Sequence, residues 1–469
     1  MSVVRFTASL FAVVVFLALA AAQASALTFT PPAHYRVGSH PADLASGDLN
    51  GDGLPDIAVA VAGSESVGIL LATGNGRFAP AVRVPVHAPD AIALGDLNGD
   101  AALDVVTAAD GYPEGSISVL LGRGDGSFVL AGTYPTADRW LDVAVGDLTG
   151  DDVSDVVTGG DLGPALFVGD GAGGLLPPLR LPADGRCSSV ALEDFDLDGH
   201  LDLAATRHEW DEYEGFAVLL SDGAGGFLPQ TAYQAWLEPN SIATGDLNED
   251  RLPDLVSLEN LEGTGVVQGF LGDGLGTLIQ ASRTRVDPRL HRSFSYAGLA
   301  VGDLSGDGYE DVVTTGIEDS RSPGPPLIYI LCGHGPEGSY FTRVTLPAER
   351  RAIAVVLDDF NGDGKSDFAT ADDKAGSVSV RIKGTLPRLT ALSPARGRVG
   401  DVVTISGRLF RKYRGTGEVR FGGVPVTKYL SWSNTVIKVR VPAGTRKGAV
   451  NVTVTSIIGR SGAKTFMRL

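Results

Sequence analysis

Short runs rich in β-branched and small apolar residues, such as DIAVAVA (56–62) and DVVTAA (104–109), alternate along the chain with clusters of Asp, Asn and Gly. Such runs, bounded by turn formers, predict strands. The same unit recurs. It consists of an inner strand, an acidic loop, a second strand, a third strand such as SVGILLA (66–72) or SISVLLG (116–122), a Gly-rich turn and a fourth strand. A meander of four strands has two raw edges. The seventh unit reaches its third strand at SVSVRIKG (377–384) and has no fourth, whereas FTPPAHYRV (29–37), ahead of the first loop, matches the fourth-strand segment FAPAVRVPV (78–86). The N-terminal strand is therefore expected to complete the last unit and close a ring, removing edges that would invite aggregation.

The acidic loop recurs seven times, from GDLNGDGLPD at 47–56 to DDFNGDGKSD at 358–367, with successive leading aspartates 48, 51, 47, 52, 57 and 56 residues apart. That period suits one four-stranded propeller blade. Oxygen-bearing side chains stand at the first, third, fifth and ninth positions. They are Asp48, Asn50, Asp52 and Asp56 in the first loop, Asp96, Asn98, Asp100 and Asp104 in the second, and Asp147, Thr149, Asp151 and Asp155 in the third. The fourth loop has Asp194, Asp196, Asp198 and Asp202, and the fifth Asp246, Asn248, Asp250 and Asp254. Asp303, Ser305, Asp307 and Asp311 form the sixth set, and Asp359, Asn361, Asp363 and Asp367 the seventh. The seventh position, Leu54 in the first loop and His200 in the fourth, offers a backbone carbonyl.

Carboxylates about 4 Å apart repel by roughly 4 kcal/mol at an effective dielectric of 20, so grouping three or four is costly unless a cation sits among them. Calcium is the expected ion, because it accepts six to eight oxygens in flexible geometry. Up to seven structural ions are expected. Asp, Asn and Gly also make good turns, but seven copies in register argue for metal. An EF-hand would need a bidentate Glu at position twelve and flanking helices. Position twelve reads Val59, Thr107, Thr158, Ala205, Ser257, Thr314 and Thr370, and the loops run into strands.

These loops, with turns such as LLGRGDGSF, resemble the FG-GAP or VCBS repeats of integrin α-subunit head propellers and many bacterial secreted proteins, over residues 29–384. The resemblance implies a seven-bladed, calcium-binding β-propeller. Thr149 and Ser305 replace the usual third-position Asn or Asp, and Ala101, Asp152 and Arg251 the sixth-position Gly, so loops three and six are expected to bind more weakly. From residue 387 the text changes to PRLTALSPARGRVGDVVTISGRLF, which resembles an IPT/TIG domain over 387–469. Short alternating strands broken by Gly and Pro support a sandwich independently. The expected fold is all-β: a seven-bladed β-propeller at 27–384 followed by a small Ig-like β-sandwich.

Residues 1–26 carry Arg5, an apolar stretch from Leu10 to Ala22 and small residues ending Ala24-Ser25-Ala26. They read as a secretory signal peptide, and the apolar stretch is too short to span a bilayer. Export to the extracellular space or periplasm is expected. Cys187 and Cys332 fall in non-adjacent units and are expected to be free, buried thiols. The formal charge of −18 argues against nucleic acid as partner. Its distribution is uneven: residues 387–469 hold sixteen Lys or Arg and two acids, a local +14, which leaves −32 elsewhere. The basic domain, with Arg408, Arg411, Lys412, Arg414, Arg446 and Lys447, suits docking on an acidic surface or polymer.

In an up-and-down blade the metal loops share a face with the Gly turns, and the opposite face takes the longest insertions, at 206–216, 283–296 and 317–326. That face is the expected ligand surface. Trp140, Trp210, Tyr213, Trp236 and His291 are its candidate contacts, with aromatics stacking on sugar rings or filling partner pockets, although Trp140 and Trp236 also fit a rim-packing role. Arg123-Gly124-Asp125 lies in a Gly turn and reads as an ordinary hairpin. The chain has no HExxH, GxSxG or Walker loop. A non-enzymatic carbohydrate- or protein-binding module is expected, with a polysaccharide lyase on the same propeller as the alternative.

Overall fold

The computed structural model describes residues 27–469 except 112–114, 137, 184, 209–214, 236–237, 262–263, 287–293, 319–325, 349–350, 385–386, 411–413, 415–416 and 457–458. The expected signal peptide lies outside the described residues. Among the described residues, seven four-stranded antiparallel sheets follow one another up to residue 381. The first runs through Pro41–Gly47, Asp56–Val61, Ser66–Leu70 and Val82–Pro85. The last contains Ala352–Asp358, Asp367–Asp372 and Ser377–Arg381, and its fourth strand is Ala33–Arg36 from the start of the described chain. Ala33 pairs with Val380 and Arg36 with Ser377, as the match between 29–37 and 78–86 predicts.

The order of the core explains why the sheets form a ring. Each neighbouring pair shares one apolar cluster, and the series closes on itself. Ala58, Ala60 and Val67 of the first sheet meet Ile92, Val105 and Leu120 of the second, while Val59 and Leu70 of the first meet Ala369 and Val378 of the last. A strand sandwiched in this way has no solvent face, so second strands such as Asp56–Val61 and Asp104–Ala109 are buried at every position. That burial accounts for continuous apolar runs where a one-sided sheet would alternate.

Side chains on the first strands tie the sheets together. The Asp43 carboxylate accepts the N–H of Leu44 at 2.8 Å and of Ile92, on the next sheet's first strand, at 3.1 Å. Asp142 does the same with Val143 and Val190, both at 2.9 Å. Ser189 Oγ accepts the N–H of Ile242 at 3.2 Å. Burial pushes the Asp43 carboxyl up to about 7, helped by the nearby charge of Asp142, and pushes Asp142 up to about 6.

The C-terminal unit is two sheets packed face to face. One holds Arg388–Ser393, Val402–Arg408, Val436–Arg440 and Tyr429–Trp432; the other is built on Gly448–Ser456 with Lys464–Arg468 and Glu418–Phe421. Val403, Ile405, Ile437, Val452 and Phe466 fill the space between them, and Phe421 meets Phe466 edge-on at 5.2 Å. The sandwich has no cysteine; Cys187 and Cys332 are free and buried in the propeller. Among the described residues no helix is long and apolar enough to cross a membrane.

The carboxyls on the first strands give the ring a pH signature. A carboxyl whose folded pKa is raised binds more protons folded than unfolded, so its stabilising contribution is present in acid and is lost as pH rises through the folded value. Between pH 4 and 7, stability measured by urea denaturation should fall more steeply in the native chain than in Asp43→Asn. Parallel profiles would show that Asp43 does not titrate in this range.

Candidate metal loops and binding face

All seven acidic loops fold alike. In each, the leading aspartate accepts the N–H groups of the fifth and sixth residues, at distances between 2.5 and 3.3 Å. These bonds wrap the chain around the first carboxylate. The wrap needs a left-handed backbone at position six, and the φ there is positive whether the residue is glycine, as at Gly53 (80°), or not, as at Ala101 (67°), Asp152 (64°) and Arg251 (67°). The three departures from glycine noted in the sequence therefore leave the loop path intact, at a cost of about 1–2 kcal/mol each.

The ninth-position aspartates have a second task that sequence reasoning missed. Asp56, Asp104, Asp155, Asp202, Asp254, Asp311 and Asp367 are all fully buried. One oxygen of Asp254 accepts the N–H of Leu247, at loop position two, at 2.8 Å, and the other accepts Gly272 N–H, at the end of the third strand, also at 2.8 Å. Asp56 repeats this with Leu49 and Ala72 at 3.1 and 2.6 Å, and Asp202 with Phe195 and Ser221 at 2.9 and 2.7 Å. In the sixth loop the first donor is Ser305 N–H at 2.6 Å, and in the seventh it is the Asn361 side-chain amide at 2.7 Å. Each carboxylate thus pins its loop to the second and third strands. Burial raises the pKa of all seven, to about 6 at Asp56, Asp202 and Asp254 and to about 7 at Asp311 and Asp367.

The donor set is hard oxygen throughout, which suits calcium. Carboxylate oxygens of Asp194, Asp196 and Asp202 lie within 4.8 Å of one another. In loop seven the third-position oxygen, Asn361 Oδ1, is buried and has no hydrogen-bond partner among the described residues. Loop six differs. Ser305 Oγ donates to Asp307 at 2.8 Å, turning the third-position oxygen toward its neighbour. At position seven, Leu54 and His200 donate their own N–H to Asp52 and Asp198, both at 2.9 Å.

The Gly turns share this face, and two of them bond to the preceding sheet's loop. Gly126 N–H reaches the Leu49 carbonyl at 3.0 Å, and Gly276 N–H reaches Phe195 at 3.0 Å. In the Arg123-Gly124-Asp125 turn, Asp125 is folded back to accept the N–H and hydroxyl of Ser127 at 2.9 and 2.5 Å, which lowers its pKa. That is the ordinary hairpin expected from sequence.

On the opposite face, Trp140 requires a correction as a ligand contact. It is fully buried, edge-on to Phe167 at 5.7 Å, with the Arg180 guanidinium 5.1 Å from its ring. Its large apolar surface fills the junction of the second and third sheets, so it is a packing residue. Trp210, Tyr213, Trp236 and His291 lie outside the described residues. Among the described residues of this face, Ser188 Oγ is 3.1 Å from His208 Nε2 but also bonds the Pro239 and Asn240 carbonyls at 3.2 Å, and burial lowers the His208 pKa. Its partners make the serine a connector between sheets.

Two substitutions test the loop architecture. Asp254→Asn sets an amide against a backbone N–H and should destabilise the chain by about 1–3 kcal/mol in urea denaturation. Arg251→Gly should instead add about 0.5–1 kcal/mol by relieving the left-handed backbone. An unchanged midpoint in the first variant would remove the pinning role.

Comparison with known proteins agrees with this architecture. A family model of the FG-GAP-like repeat matches residues 48–107, 96–158 and 246–314, and the IPT/TIG domain model matches 387–466. No curated protein sequence matches the chain. Among solved structures, BBS1N in complex with ARL6DN, from crystals soaked with mercury, shares 11% identity at a TM-score of 0.52, covering 76% of this chain and 97% of that one. The same complex soaked with lead gives 12% and 0.50 over 76% and 97%. An Agrocybe aegerita lectin specific for non-reducing terminal N-acetylglucosamine aligns over 72% of this chain and 87% of its own, with 19% identity and a TM-score of 0.45. At identities this low, the likeness to BBS1N speaks to fold alone. The chain carries FG-GAP-like repeats on a β-propeller, followed by an IPT/TIG domain of Ig-like fold.

Proposed function

We propose that this chain is a secreted, calcium-binding propeller that acts as a non-enzymatic binding or adhesion module, with a carbohydrate ligand ahead of a protein one. The observation that carries the reading is the repeated loop itself. Its leading carboxylate is fixed by two backbone N–H groups, and its ninth-position carboxylate, in six of the seven loops, by two more. Such pre-ordering of oxygens suits a hard cation.

Bound calcium would supply the positive charge that holds these acids together. Within the chain, the first, third, fifth and ninth side chains would hold it, Asp194, Asp196, Asp198 and Asp202 forming the most acidic set. Calcium is structural in this account. Metal loops and Gly turns occupy one face, and the other is left for a ligand. The carboxylates are committed to loops and pins, which argues against recruiting a pair for acid–base chemistry.

Binding of the purified chain to a broad glycan and polysaccharide array, in millimolar calcium and again in EDTA, tests the proposal. Calcium-dependent capture of a defined glycan without shortening of the polymer is the expected outcome. Cleavage of the bound polymer would replace the reading with a lyase, and a blank array from folded protein would leave a protein partner as the ligand.

A further inference from the structure

Where the first and last sheets meet, on the face opposite the metal loops, a pocket of about 460 Å³ opens between Arg36, Arg83 and Lys374. Arg36 is on the N-terminal strand that completes the last sheet, Arg83 on the outer strand of the first, and Lys374 in the turn after Asp367–Asp372. All three are exposed. Among the described residues, none of their cationic groups has an ion-pair or hydrogen-bond partner. Elsewhere on this face Arg139 pairs with Asp110 and Asp161, Arg180 with Asp138, and Arg186 with Asp161.

The pocket does contain one acid, but its charge is already used. Asp373 Oδ1 is 2.7 Å from His40 Nδ1, and its Oδ2 is 3.1 Å from Arg351 Nη1. Backbone forms the floor. A Cβ on Gly376 (φ 64°) would come within 2.4 Å of the Gly38 carbonyl, and one on Gly38 (φ 142°) within 2.5 Å of Ser64 Oγ. Side chains are thus excluded from the floor while the rim is cationic. Unpaired cations around a concave, polar-lined space, on a propeller otherwise strongly negative, are the arrangement that captures an anion.

We propose that this seam binds the anionic group of an acidic saccharide, with Arg36, Arg83 and Lys374 converging on its carboxylate or sulfate. The volume fits one or two sugar rings, and guanidinium groups match the planar carboxylate of a uronate. The inference rests on the carbohydrate reading above and adds the ligand's chemical class.

The test titrates the full chain with oligogalacturonate, with dextran sulfate and with neutral dextran, by calorimetry in low salt. Native chain, Arg36→Ala/Arg83→Ala, Lys374→Glu and, in the C-terminal domain, Arg446→Ala/Lys447→Ala are compared, with melting curves confirming that each folds. The expected result is an affinity for oligogalacturonate at least tenfold lower in both seam variants and unchanged in the C-terminal one. The same pattern with dextran sulfate alone would identify sulfate as the anion. Binding that survives both seam variants, or that follows the C-terminal variant, overturns the proposal. Binding to neutral glycan alone removes the anion site and leaves the binding module standing. No binding to any of the three removes the anion site and the carbohydrate reading, and leaves a protein partner as the ligand.

Discussion

A fully buried carboxylate with each oxygen occupied by a hydrogen-bond donor, backbone N–H in nearly every case, is the interaction on which this propeller depends. At the ninth position of each loop an aspartate holds the loop's beginning with one oxygen and the end of the third strand with the other, as Asp254 holds Leu247 and Gly272. Removing a carboxylate from water is expensive, and two charge-assisted hydrogen bonds offset part of that cost. The same atom set decides three things. It fixes where the first strand ends, keeps the second and third strands in register, and brings the fourth ligand-type oxygen beside the leading aspartate.

A second constraint follows from the first. Twenty-two acids in seven loops lie on one face of a ring whose remaining sequence is already negative. Backbone N–H groups satisfy many of their oxygens geometrically but supply no net charge. Calcium would supply it, and the C-terminal domain, at +14, is the only strongly basic region of the chain. On the opposite face Arg139, Arg180 and Arg186 are paired with acids, whereas Arg36, Arg83 and Lys374 at the ring-closing seam are not, among the described residues. The seam is also where a strand from the start of the chain completes the last sheet, so a ligand there would touch both ends of the ring.

Much of this was legible in the sequence because the repeat carries it. The loop spacing gave the period, DIAVAVA-type runs gave second strands, and the likeness of 29–37 to 78–86 gave the ring-closing strand. The double role of the ninth aspartate was not legible, since its partners are backbone groups from another strand, which have no sequence signature. Trp140 misled for a related reason: its connection belongs to the exposed face, but its side chain turns into the sheet junction beside Phe167. The seam cluster joins residues 36, 83 and 374, and only closure of the ring makes them neighbours.

The central claim is that the carboxylate loops hold together through a bound divalent cation, and thermal unfolding of the purified chain in millimolar calcium and in excess EDTA addresses it directly. At a free ion concentration 100 times the dissociation constant, each independent site would contribute about 2.7 kcal/mol. The account predicts a melting temperature markedly lower in EDTA and restored by adding calcium back. Superimposable melting curves in the two buffers would contradict it.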